Sequence, residues 1–259
     1  MVEKNFPKIS IVTPSFNQGK YIEKTILSII NQHYPNLEYI IMDGGSNDNT
    51  LEIINKYRDY ISFWESKPDN GQSDAIKRGF EISTGVILAY INSDDSYLPG
   101  AFLKIADAFE KNPSVKWITG NGIYVNENEV KIRKINFFPY LICSKTMLYG
   151  GNCIFQPAAF WRRELYFLVG GIDTKLEYSF DRDLFLKFLL IEKPLKLNYE
   201  VAAFRIHSTS KTSTVSHIGQ IEDQKIKREY LAQNPPNIIS HLFYSFCGYV
   251  YQKIVFLFY

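Results

Sequence analysis

The strongest constraint on the fold is an alternation of two hydrophobic periods through the first 112 residues. Short β-rich apolar runs occur at residues 8–14, 37–42, 61–64 and 86–91. Between them, apolar residues recur at helical spacing: Ile22, Ile26, Ile29 and Ile30, then Leu51, Ile53, Ile54 and Tyr57, then Ala75, Ile76 and Phe80. Strand and amphipathic helix in strict turn imply a mainly parallel sheet with helices on both faces. In such sheets ligands bind beyond the carboxyl ends of the strands. Asn17, Asp43 and the pair Asp94 and Asp95 each follow a strand end, so they converge on one rim.

After about residue 112 the pattern changes. Shorter strands are expected at 116–120, 122–125 and 130–135, followed by an aromatic-rich loop over 136–151. A strand at 155–161, helices at 163–169 and 181–190, and a strand at 196–205 complete the expected elements. No repeat or low-complexity linker divides the chain. The two halves, 1–112 and 113–211, are therefore read as sharing one sheet.

Composition narrows the function class. A net charge of +2 gives no electrostatic footprint for nucleic acid. Cys143, Cys153 and Cys247 have no metal-ligand spacing, which points to a reducing compartment. No apolar run precedes the first strand, so no signal peptide is expected and a cytoplasmic location is. Residues 212–259 form a C-terminal extension, nearly all apolar and aromatic from 238 onward. His241, Gln252 and Lys253 interrupt that tail, which argues against a spanning helix. A helix lying on the inner membrane face is one reading; packing on the domain or on a second copy is the other.

The first-half motifs carry a resemblance. Residues 9–17 read ISIVTPSFN and residues 38–50 read EYIIMDGGSNDNT; GQSDAIKRG follows at 71–79 and YINSDD at 90–95. QPAAFWRRE at 156–164, FDRDL at 180–184 and FRIHS at 204–208 come next. In order and spacing these closely resemble family 2 glycosyltransferases over roughly residues 8–211. The resemblance implies the GT-A fold, a Rossmann-like α/β sheet flanked by helices, with 1–112 as its nucleotide-binding half and 113–211 as its acceptor-binding half. It also implies inverting sugar transfer from a nucleotide sugar, with UDP favoured, to a saccharide or lipid-linked saccharide acceptor in glycan synthesis. A homo-oligomer is compatible with it.

The same resemblance assigns roles. Thr13, Pro14, Ser15, Asn17, Asp43, Gly45, Gln72, Asp74, Lys77, Asn92, Ser93 and Asp94 fall to the nucleotide, with Asp43 expected at the base. Arg205 and Lys211 fall to the diphosphate. Adjacent carboxylates are costly unless a cation offsets them. Asp95, with Asp94 and His207, is therefore expected to hold Mn²⁺ or Mg²⁺. Taken alone, the Asp-Asp pair would serve as a helix cap and His207 as a packed residue. Asp181 aligns with the family's base and Asp183 with an orienting or acceptor-binding role; Phe180 stands where the family usually has Glu. Trp161 and Arg162 are expected at the acceptor. Two rivals remain: a sugar nucleotidyltransferase, which would want a basic Gly-rich loop after the first strand, and a silent carbohydrate-binding protein, which need not keep all five acids.

Overall fold

The computed structural model describes residues 6–135, 143–208, 210, 217–233, 235 and 237–257. Four parallel strands form its first half: β1 (Ile9–Ser15), β2 (Leu37–Asp43), β3 (Phe63–Ser66) and β4 (Ile87–Tyr90), in the order β3-β2-β1-β4. Burial on both faces makes β1 a continuous run rather than an alternating one, since all seven of its residues are buried. The period of two survives in which face each residue serves. Ile9 and Ile11 of β1, Tyr39 and Ile41 of β2, and Ile87 and Ala89 of β4 share one core. Val12, Ile40, Met42, Leu88 and Tyr90 point into the other.

Helices cover both faces. Ile22, Ile26 and Ile29 of α1 (Ile22–Ile30) and Phe102, Ile105 and Phe109 of α4 (Ala101–Lys111) pack in the first core. Short α2 (Thr50–Lys56) adds Ile54 beside them. Ala75, Ile76 and Phe80 of α3 (Gln72–Ile82) pack in the second. Gly79 lets α3 approach β1 closely, since a Cβ there would lie 2.5 Å from a Val12 methyl.

The second half extends the same sheet with mixed direction. Beside β4 runs antiparallel β8 (Ala159–Arg162), then β6 (Trp117–Val125), then β9 (Leu195–Arg205), parallel to β6. The two-residue β5 (Ser96–Tyr97) pairs with β9, and β7 (Lys131–Ile135) pairs with β6. Residues 117–125 form one strand, not two, because register shifts against β9 at Thr119, Asn121 and Gly122 absorb the polar interruption. The expected strand at 155–161 begins instead as a helical turn, Gln156–Ala158. There Gln156 Nε2 donates to the Tyr90 carbonyl (2.9 Å).

Four further helices follow: α5 (Ser144–Gly150), α6 (Arg163–Leu168), α7 (Phe180–Ile191) and α8 (His217–Gln233). Helix α5 falls where a loop was expected, started by Cys143, whose Sγ accepts from the Thr146 N–H. Helix α7 is apolar nearly all round, which fits its burial between the sheet and other helices. The Trp117 and Phe185 rings stack 6.0 Å apart, and Trp161 meets Phe188 at 5.5 Å. The tail forms α9 (Ile238–Leu257), packed on α5 through Tyr149, whose hydroxyl is 2.9 Å from His241 Nδ1. Among the described residues no helix is long and apolar enough to cross a membrane.

Candidate active site

A cavity of about 680 Å³ opens at the carboxyl ends of β1, β2 and β4. Its walls come from the loop after β1, the turns after β2 and β3, the acidic turn after β4, and the start of α7. Of the residues expected at the nucleotide, Pro14, Ser15, Gln72, Asn92, Ser93 and Asp94 line it.

Asp43 is fully buried and does not line the cavity. Its Oδ2 accepts from the N–H groups of Gly45 (3.1 Å) and Ser46 (2.8 Å) and from Ser66 Oγ (2.6 Å), while Oδ1 accepts from Ser46 Oγ (2.5 Å). Four donors saturate the carboxylate, so Asp43 ties the turn together instead of facing a base. Asp69 stands at the open position. It lines the cavity, and its carboxylate oxygens lie 3.1 and 3.2 Å from where a Cβ on Gly44 would be. Glycine at 44 thus leaves room for an acid delivered from the next turn. Burial raises the Asp69 carboxyl above its ordinary value, against the opposing hydrogen bond from the Gly71 N–H. The signal for Asp69 was present in the sequence: like Asp43, it lies just past a parallel strand end.

Other expected residues support the walls from behind. Asn17 adopts φ 52° and bridges two loops, its N–H donating to Ser46 Oγ (2.8 Å) and its Oδ1 accepting from the Asn47 N–H (3.0 Å). Asp74 turns toward Arg78 (3.5 Å). Thr13, Asn17, Gly45, Asp74 and Lys77 do not line the cavity. Lys211 lies outside the described residues.

The acidic turn divides its two carboxylates. Asp95 points inward: it is 1% exposed, and its Oδ1 accepts from the Arg205 N–H (2.9 Å). Burial, and then the Asp94 charge, push its carboxyl well above the usual range. Asp94 faces the cavity, and its Oδ2 lies 2.9 Å from His207 Nε2. Of the two acids expected at the metal with His207, the structure sets Asp94 beside it and turns Asp95 to the Arg205 backbone. Thr25 of α1 holds the turn by donating to the carbonyls of Ser93 (2.9 Å) and Asp95 (2.6 Å). The Tyr21 ring packs 4.5 Å from that of His207.

Arg205 does not reach the cavity. It is fully buried, with Nε donating to the Asp94 carbonyl (2.8 Å) and Nη1 to that of Glu127 (3.2 Å); Nη2 pairs with Glu129 (3.1 Å). These bonds make it a strut behind the acidic turn, a correction to the diphosphate role expected of it.

Across the cavity, Asp181 sits in the first turn of α7. Its Oδ2 accepts from Asn152 Nδ2 (3.1 Å) and its Oδ1 from the Arg182 N–H (2.6 Å). Burial raises its carboxyl to about 6, only partly offset by that N–H. Asp183 is turned away and paired with Lys187 (2.7 Å). Trp161 and Arg162 also lie elsewhere: Trp161 is fully buried in the core, and Arg162 donates to the carbonyls of Val115 (2.8 Å) and Pro113 (3.0 Å). Glu177, Tyr178 and Phe180 line the cavity near Asp181, and Phe16, 58% exposed, stands at its rim. Phe180 was noted in the sequence only as standing in place of an acid; Phe16, Glu177 and Tyr178 carried no signal there, because their neighbours in the fold and not their type give them their place.

A mainly parallel sheet with an acidic turn and a facing carboxylate at one cavity fits the GT-A class of glycosyltransferase. The family model described as glycosyl transferase family 2 matches residues 10–167, more than half of the chain, and the chain belongs to that family. An uncharacterized glycosyltransferase of Mycobacterium tuberculosis is 24% identical over 200 residues, covering 76% of this chain and 75% of the relative. One from Haemophilus influenzae is 27% identical over 245 residues, covering 87% and 74%. Among solved structures, S. aureus TarS 1-349 in complex with UDP superposes with a TM-score of 0.67 at 18% identity. That match covers 86% of this chain but only 65% of the TarS chain, less than two thirds of it. The mannosyltransferase PcManGT from Pyrobaculum calidifontis, in complex with GDP-Man and Mn2+, gives 0.65 at 15% identity, covering 90% of this chain and 66% of that one.

Proposed function

We propose that this glycosyltransferase moves a sugar from a UDP-sugar to a saccharide or lipid-linked saccharide by one displacement that inverts the anomeric carbon. The observation that carries the reading is that Asp94, beside His207, and Asp181 line the same cavity. Asp181 takes the proton of the acceptor hydroxyl; a carboxyl at about 6 is ionised at neutral pH yet basic enough to be useful. Asp69 supplies the acceptor for the base imide that Asp43 cannot, and Phe16 offers an apolar face at the rim. The UDP and UDP-GlcNAc complexes of TarS support the choice of nucleotide.

The donor set suits a hard divalent ion. Asp94 Oδ2 and His207 Nε2, 2.9 Å apart, are the oxygen and nitrogen donors that would hold it. Among the described residues no group of three such side chains could hold a metal alone. Phosphate oxygens of a bound donor would supply further ligands. Such an ion, Mn²⁺ or Mg²⁺, would supply positive charge to offset that developing on the leaving diphosphate. Asp95 contributes from behind by fixing the backbone at Arg205.

The tail suits a lipid surface. Its α5-facing side is occupied by His241 and Tyr244, while Ile238, Leu242, Phe243, Phe246 and Tyr249 are exposed. Lys145 and Lys227 lie over the Tyr244 and Tyr149 rings beside it, basic groups suited to anionic headgroups. Co-flotation with anionic phospholipid vesicles, lost in Phe243→Ser/Phe246→Ser, tests this; a concentration-dependent dimer without flotation refutes it.

UDP release from a panel of nucleotide sugars, with Mn²⁺ or with chelator, tests the main reading. Release is expected with metal and absent in Asp94→Asn. Full turnover of Asp94→Asn in chelator would sink the metal assignment.

A further inference from the structure

Helix α8 lies beyond both the region matched by the family model and the motifs of the sequence, yet its second turn holds the wall of the cavity. Glu222 is buried, at 8% exposure, and presents both carboxylate oxygens to three consecutive backbone N–H groups. Its Oε1 accepts from Glu177 (2.6 Å), and its Oε2 from Tyr178 (2.9 Å) and Ser179 (2.8 Å). Glu177 and Tyr178 line the cavity, and the next residues but one and two, Phe180 and Asp181, do as well.

The arrangement completes what α7 lacks locally. Ser179 is the N-cap residue of α7, but its side chain makes no capping bond to its own helix. Its Oγ donates instead to Asp223 Oδ1 (2.7 Å). The same oxygen pairs with Arg182 Nη1 (2.7 Å), while Arg182 Nη2 donates to the Met147 carbonyl of α5 (2.6 Å). Two acids from α8 thus fix the chain on both sides of Asp181: Glu222 before it, and Asp223 at Ser179 and Arg182.

We infer that α8 is part of the catalytic apparatus, with Glu222 and Asp223 as positioning residues that hold the 177–182 wall and aim Asp181 into the cavity. This rests on the reading of Asp181 as the base. A carboxylate against three N–H groups at the start of a helix is a charge-assisted and dipole-favoured contact. A neutral amide at 222 keeps only one acceptor oxygen and turns an N–H₂ toward a donor. The geometry at Asp181 then loosens, and misplacement on this scale costs up to about 100-fold in rate.

Asp223 acts on charge as well as position. The groups around Asp181 are Asn152 after α5, Tyr90 on β4, Arg182 beside it on α7 and Asp223 on α8, with Lys227 one turn further facing Arg182. Removing the Asp223 carboxylate takes away a like charge and frees the Arg182 guanidinium. Both changes favour ionised Asp181, so its midpoint moves to lower pH.

The test uses the full chain with ¹³C-labelled aspartate. The Asp181 carboxyl is titrated by NMR in wild type and Asp223→Asn. Initial rates are measured for wild type, Glu222→Gln and Asp181→Asn with UDP-glucose, UDP-galactose and UDP-N-acetylglucosamine. The expected results are a lower Asp181 midpoint in Asp223→Asn, and in Glu222→Gln a kcat about 10- to 100-fold down at unchanged donor KM. Faster hydrogen exchange at the amides of 177–179 accompanies the latter. An unmoved midpoint together with wild-type kcat in Glu222→Gln overturns the inference. If Glu222→Gln does not fold, or no donor turns over, the Asp223→Asn midpoint alone decides it. Full turnover by Asp181→Asn would instead remove the base assignment, leaving the midpoint to judge the positioning.

Discussion

Asp181→Asn should make the protein more stable at neutral pH while stopping it from working. The wild-type carboxyl sits at about 6 in the fold against an ordinary 3.8. Below 3.8 it is neutral in both folded and unfolded chains and has no effect on stability. As pH rises from 3.8 to 6 the unfolded chain releases its proton and the folded one retains it, so stability falls; above 6 the loss is complete. About two pH units at about 1.4 kcal/mol each set an upper bound of about 3 kcal/mol. The side chain opens onto the cavity, and asparagine keeps only one of two accepting oxygens, so a gain of about 1–2 kcal/mol is expected at pH 7.5. Urea unfolding of both proteins at pH 4, 5, 6 and 7.5 measures it. The gap should be near zero at pH 4, grow through pH 6 and then level. A gap independent of pH, or a wild type more stable at pH 7.5, would refute the argument. Turnover should drop by about 10²- to 10⁴-fold in the same variant, the range for loss of a general base.

Asp69→Ala should raise the donor KM by about 10- to 100-fold with little change in kcat, the loss of one hydrogen bond to a charged group; initial rates against donor concentration check this. Arg205→Met should destabilise by about 2–4 kcal/mol in urea, because the carbonyls of Asp94 and Glu127 lose their donor behind the acidic turn. Gly79→Ala should cost about 1–2 kcal/mol, the overpacking against Val12 outweighing alanine's better helix propensity.

The sheet was legible because its two periods are: β1, β2 and β4 start or end within a residue or so of the apolar runs, and α1 and α3 follow the helical spacing. The rim was legible because acids that follow parallel strands must meet there. What a sequence does not carry is side-chain direction within a turn. Asp94 and Asp95 are neighbours, and only the packing of Arg205 and β9 behind them turns one inward and leaves the other outward. Asp43 and Asp69 exchange places for a similar reason, since Gly44 opens a gap that the next turn fills. Asp181 and Asp183 lie two positions apart on a helix and so face different ways, one to the cavity and one to Lys187. Trp161, an aromatic with a suitable polar tip, belongs to the core because β8 runs between β4 and β6. The hold of α8 on Asp181 spans more than forty residues of separation and has no local signature.

The central claim, that this cavity transfers a sugar from UDP with inversion, is tested most directly by a ¹H NMR time course of UDP-sugar with Mn²⁺ and a saccharide acceptor. The expected spectrum shows UDP and a glycoside of anomeric configuration opposite to the donor, formed by the wild type and not by Asp181→Asn. A glycoside of retained configuration, or sugar 1-phosphate in place of UDP, would contradict it.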